Sequence, residues 1–153
     1  MEEELTKAMP EIKIAGVIKS TLKLPETDIK TYSPLTLAFI GDSIFDLIIR
    51  TCVVESGNAP VNKLHKRCSM LVQATAQAEL YHTIKDRLTE DEITIYKRGR
   101  NAKSFTSAKN AGIVEYRTAT GLEALMGYLY LTDQMARLLE LIEPQIIKMV
   151  SIS

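Results

Sequence analysis

A carboxylate set inside an apolar helical run constrains this chain more than any other feature. The run is Leu37-Ala38-Phe39-Ile40-Gly41-Asp42-Ser43-Ile44-Phe45-Asp46-Leu47. Leu37, Ile40, Ile44, Leu47 and Ile48 recur at helical spacing, so the segment predicts an amphipathic helix. Ser33 supplies a cap hydroxyl and Pro34 suits the first turn, where its missing N–H has no partner to lose. Gly41 costs about 1 kcal/mol relative to alanine inside a helix. A glycine there lets another backbone or a ligand approach closely. Asp42 follows at once, and Asp46 stands one turn further on. An aspartate among Ile, Phe and Leu needs a partner, either a cationic side chain, a helix N-terminus or a metal ion. The residues alone leave those options open.

The rest of the chain reads as helix. A short helix is expected near 11–22, with 25–33 as a connector and the carboxylate-bearing helix spanning 34–55. Gly57 and Pro60 separate it from a long helix over 60–84, whose first turns carry Lys63, His65, Lys66 and Arg67. Cations at that end oppose the helix dipole, and contact with backbone phosphate would be one reason to keep them there. Thr89 and Glu92 form a capping box for a helix running to about 98. Lys97, Arg98, Arg100, Lys103 and Lys109 then fall in a stretch broken by Gly99, Asn101, Ser104, Thr106 and Ser107. That stretch predicts a basic loop with side chains suited to a phosphate backbone. A helix over 113–131 and a last amphipathic helix kinked at Pro144 complete the chain. No strand alternation is long enough to trust, and the expected class is all-α.

Composition narrows the function classes only a little. The 153 residues suit one domain, and 19 basic against 19 acidic residues give no net charge. Only the distribution of charge can then favour nucleic acid. Cys52 and Cys68 have no metal-type spacing and read as core or near-surface thiols. The acidic start and the lack of a long apolar run predict a cytoplasmic protein without a membrane partner. His65 and His82 offer no paired-histidine chemistry, and no phosphate-cradling glycine loop is present.

The 37–47 run resembles the signature helix of the ribonuclease III catalytic domain, Leu-Glu-Phe-Leu-Gly-Asp-Ser/Ala. A second segment, Ala119-Thr120-Gly121-Leu122-Glu123-Ala124-Leu125-Met126-Gly127-Tyr128-Leu129-Tyr130-Leu131, is similar to that family's metal-binding helix. Lys97-Arg98-Gly99-Arg100-Asn101-Ala102-Lys103-Ser104 resembles the compact Mini-ribonuclease III subfamily, which lacks a separate double-strand-binding domain. The motifs occur in the right order across roughly residues 30 to 135. The division expected is an N-terminal segment, 1–30, partly ordered, and a catalytic domain, 31–153.

The resemblance implies a homodimeric, Mg²⁺-dependent endoribonuclease acting on double-stranded RNA, with Mn²⁺ able to substitute. It also implies maturation of the 23S ribosomal RNA precursor. Asp42 and Glu123 match the family's catalytic metal ligands, with Asp46, and less directly Glu115, as candidates to supplement them. Phe39 matches the signature phenylalanine that packs into the other protomer. Lys63, His65, Lys66, Lys97, Arg98, Arg100, Asn101, Lys103 and Ser104 are the expected RNA contacts. Two family acids are absent, since Ala38 and Thr120 stand in their places. The alternative is a non-catalytic RNA-binding or ribosome-assembly protein on the same fold, which those two losses favour. The retained Asp42 and Glu123 oppose it, because a pure binding protein gains nothing from unpaired buried carboxylates. An unrelated helical interaction module is a further reading, which would show neither dimerisation nor RNA affinity.

Overall fold

The computed structural model describes residues 12–103 and 112–152. Among them are seven α-helices and two short 3-10 turns, with no strand. The helices are α1 Ile14–Thr21, α2 Pro34–Glu55, α3 Val61–Leu71, α4 Ala74–Ile84, α5 Glu90–Asn101, α6 Ile113–Leu131 and α7 Met135–Ile152. The expected bounds of α2 and α6 are met.

Helix α6 is the central element. Ala119, Gly121, Leu122, Ala124, Leu125, Met126, Gly127 and Leu129 are all buried along it. Buried residues therefore point to every side of it, as on a helix enclosed by others. Helices α2, α4 and α5 pack directly against it. Phe45, Ile49, Leu80, Leu122, Leu125, Met126 and Leu141 fill the core between them. Each such side chain stabilises the fold by about 1.5–3 kcal/mol relative to its exposed state. Helix α1 docks on this core through buried Ala15. The Gly16 N–H donates to Asp133 Oδ1 at 3.0 Å, which fastens α1 to the α6–α7 turn.

The α2–α6 crossing is closer than side chains would allow. A Cβ built on Gly41 would collide with the Glu123 carbonyl. One built on Gly127 would collide with the Leu37 carbonyl. The two glycines interlock the helices backbone to backbone, which offsets their low helix propensity.

Three expectations need correction. The helix expected over 60–84 divides at Val72–Gln73, because Gln73 takes an extended conformation (φ −59°, ψ 153°) and caps α4. The Val72 carbonyl left over accepts from Gln77 Nε2 at 3.0 Å. No glycine or proline marks this break. Second, α5 does not stop near 98 but continues to Asn101. Gly99 is no helix breaker here, for it is buried against Gly121 and Ala124 of α6. Third, Lys97, Arg98 and Arg100 therefore lie on the end of a helix rather than in a loop, where cations complement the dipole. Pro144 lies inside α7 without ending it. It and Glu140, whose carbonyl loses a helical donor, are both exposed, so water can satisfy that group.

Candidate active site

Asp42 follows Gly41 on α2, and Glu123 is the residue whose carbonyl Gly41 touches on α6. The close crossing thus delivers both carboxylates to one place. Asp42 is exposed and Glu123 is half-buried. The two side chains are neighbours. Burial, and then the adjoining Asp42 carboxylate, push the Glu123 carboxyl up to about 8. Two like charges this close cannot both ionise cheaply without a cation.

The other expected ligands are not gathered here. Asp46 pairs with Arg50 on the same helix, Nε to Oδ2 at 2.9 Å. Glu115 lies in the first turn of α6, about 12 Å along the axis from Glu123. Among the described residues, no group of three or more His, Cys, Asp or Glu is placed to hold a metal ion together. Ala38 is buried in a small apolar cluster with Leu37 and Ala124, where an acid would be stranded. Thr120 turns its hydroxyl back to the Tyr116 carbonyl at 3.0 Å. The protein donor set is thus two hard carboxylates, one exposed and one half-buried. That set fits Mg²⁺, which is held by one or two carboxylates and keeps waters in its remaining positions.

Sequence reasoning overlooked one neighbour of Glu123. Gln77 of α4 is only 4% exposed, and its side chain works to lower the Glu123 carboxyl against the larger upward push of burial and Asp42. The available signal was a glutamine on an alanine-rich stretch.

Most of the expected RNA contacts are exposed. Lys63, His65 and Lys66 are exposed on α3, and Lys97, Arg98, Asn101 and Lys103 are exposed at and beyond the end of α5. Arg98 donates to the Tyr32 carbonyl at 3.4 Å. Arg100 is half-buried, with its guanidinium 5.8 Å from the centre of the Tyr96 ring. Arg67 is committed elsewhere, donating to the Val150 carbonyl at 2.7 Å. Ser104 and Lys109 lie outside the described residues. Phe39 is 78% exposed. Leu35, one turn earlier on the same face of α2, is exposed too, and exposed Leu47 lies about 80° further round the helix.

Comparison with known proteins places the fold in a class. The Ribonuclease III domain model matches residues 35–134. A crystal structure of a Fusobacterium nucleatum protein superposes with a TM-score of 0.69 at 33% identity, covering 77% of this chain and 96% of that one. Mini-ribonuclease 3 of Thermoanaerobacter sp. is 46% identical over 133 residues, 87% of this chain and 94% of the relative. That of Enterococcus faecalis is 50% identical over 117 residues, covering 75% and 89%. The chain belongs to the ribonuclease III family, within its Mini-ribonuclease III branch. It is an endoribonuclease. No helix among the described residues is long and apolar enough to cross a membrane.

Proposed function

We propose that this chain is a homodimeric, Mg²⁺-dependent endoribonuclease that cuts double-stranded RNA, with the 23S ribosomal RNA precursor as its substrate. The observation that carries the proposal is the meeting of Asp42 and Glu123 from two helices locked together by their backbones. Divalent metal and duplex RNA come from the family; the two-carboxylate donor set is compatible with the metal. A bound divalent cation supplies neutralisation of the scissile phosphate and lowers the pKa of a coordinated water. Asp42, the exposed member, faces incoming RNA. Glu123, the more enclosed one, must give up its proton before it can act as an anionic ligand.

Dimerisation is supported by the exposed apolar side chains of Leu35 and Phe39, one turn apart on α2. A two-fold pair of sites would match the pseudo-symmetry of a duplex, one site for each strand. Lys63, Lys66, Lys97, Arg98, Arg100 and Lys103 are the candidate phosphate contacts, since A-form RNA is read through its phosphates and 2′-hydroxyls. The cytoplasm is the compartment where such a substrate is found.

The test is cleavage of a defined duplex RNA with Mg²⁺ or Mn²⁺ by the wild-type protein and by Asp42→Asn. Metal-dependent cutting that D42N abolishes supports the proposal. Tight RNA binding without cutting in either metal would turn the reading to a non-catalytic RNA-binding protein. Replacing Arg98, Arg100 and Lys103 together by Gln should weaken duplex binding and flatten its salt dependence by about one unit for each phosphate no longer neutralised. Unchanged affinity would remove that surface from the account.

A further inference from the structure

Arg50 stands two turns beyond Asp42 on α2, with Asp46 between them. The row Asp42, Asp46, Arg50 winds about 40° round the helix at each step, but the Arg50 side chain leans back along it, as long side chains on a helix do. Its Nε lies 2.9 Å from Asp46 Oδ2. The cation is thereby carried back to the level of Asp46, one turn, or about 6 Å along the axis, from Asp42. Both side chains of the pair are open to water, 55% and 39% exposed, and a pair this open adds little to stability. Its place beside the site gives it another use. A bare Asp46 carboxylate one turn from Asp42 would repel an incoming phosphate, and Arg50 cancels that charge. Among the described residues Arg50 makes no second ion pair, so the rest of its five-donor fork is left for a ligand. On its far side Arg50 shares the wall of a cavity of about 120 Å³ with His65 of α3, lined between them by Val53, Val61, Leu64 and Cys68. Arg50 thus links the carboxylate end of α2 to exposed Lys63, His65 and Lys66 on α3.

We propose that Arg50 is a further RNA-binding residue, its guanidinium held by Asp46 close to Asp42 and donating to a backbone phosphate of the strand that is cut, near the scissile bond. Asp46 is then a positioning residue for this arginine rather than a third metal ligand. The deep, narrow major groove of A-form RNA keeps base edges out of reach, so a cation here meets phosphate and carries no sequence preference. Arginine suits the task because its planar fork serves a carboxylate at one edge and a phosphate at another, which a lysine ammonium does less well. The proposal rests on Asp42 and Glu123 marking the place of cleavage.

The experiment compares the full wild-type chain with Arg50→Met and Arg50→Lys on one defined RNA duplex. Methionine keeps an unbranched stem over the cavity and removes only the charge; Arg50→Gln repeats the measurement should R50M melt lower than wild type. Duplex affinity measured without metal should fall about 10–100-fold in R50M. The slope of log affinity against log salt should shrink by about one unit. In Mg²⁺ the loss should appear mainly as a rise in KM, and R50K should recover part of it. A neutral methylphosphonate link, moved one position at a time along the cut strand, should reproduce the loss at one position near the cleaved bond, where R50M then adds nothing. Wild-type affinity and salt slope in R50M, while both proteins cut the duplex, overturn the proposal and leave Arg50 a surface ion pair. A loss found only together with a changed oligomeric state overturns it as well. If the wild type neither binds nor cuts duplex RNA in Mg²⁺ or Mn²⁺, the functional reading fails, and the proposal with it.

Discussion

Glu92 and Glu123 are both withdrawn from water in the same domain, and their surroundings treat them in opposite ways. Glu92, 3% exposed, caps the start of α5. Its Oε1 accepts from the Thr89 N–H at 2.9 Å. Arg137 of α7 holds it with two bonds, Nε to Oε2 and Nη2 to Oε1, each 3.0 Å. Burial works to raise its pKa, but Arg137 and the Thr89 N–H outweigh that and hold it below the ordinary range. Among the described residues Glu123 receives no such cation; its charged neighbour is another carboxylate, and its carboxyl is pushed up to about 8. A buried acid supplied with its own arginine is part of the scaffold. One set beside a second acid has its counter-charge left to come from outside.

The contrast can be broken most directly through activity. Glu123→Gln should lower cleavage about a thousandfold or more, the several kcal/mol expected from a lost metal ligand, while the apo protein melts no lower than wild type. A fall in stability without a fall in turnover would reverse the roles assigned to the two glutamates. Next in size is Arg137→Met, which strands Glu92 in the interior. It should destabilise the fold by about 3–5 kcal/mol in chemical denaturation, with cleavage per folded molecule kept at a permissive temperature. The smallest effect is the dependence of stability on pH. Between about 4.5 and 8, Glu123 keeps its proton when folded and loses it when unfolded, so raising pH favours the unfolded chain. The slope contributed is at most about 1.4 kcal/mol per pH unit. Melting of the metal-free protein should decline across that window, and E123Q should remove this contribution. Glu92 acts the other way: with its folded pKa lowered, its contribution is present above about 4.5 and fades as pH falls below. Identical pH profiles for wild type and E123Q would sink the comparison.

Much of this architecture was readable from residue order. Ser33, Pro34 and the 37–48 periodicity set α2, and Ser33 Oγ does accept from the Thr36 N–H at 3.2 Å. Thr89 and Glu92 form the expected capping box. Gly41 announced a close approach, though not that α6 is what approaches it. What stayed hidden depends on partners distant in sequence. Nothing around Val72 and Gln73 signals a break, since the stabilising contact comes from Gln77. Gly99 reads as a helix breaker until α6 is seen lying against it. Glu92 shows its cap in sequence but not its arginine, which stands on another helix. In the site, Asp42 and Glu123 were found through the family motifs. Gln77, outside every motif, emerged only from the packing of α4 on α6.

The interlock of Gly41 and Gly127 carries one more consequence. The gauge of the candidate site is written in main chain, since each carboxylate stands at or next to a point where one helix's peptide groups touch the other's. Side chains elsewhere along α2 and α6 can drift without changing that gauge, as Ala38 and Thr120 illustrate. A single methyl group at either crossing glycine would instead wedge the two acids apart.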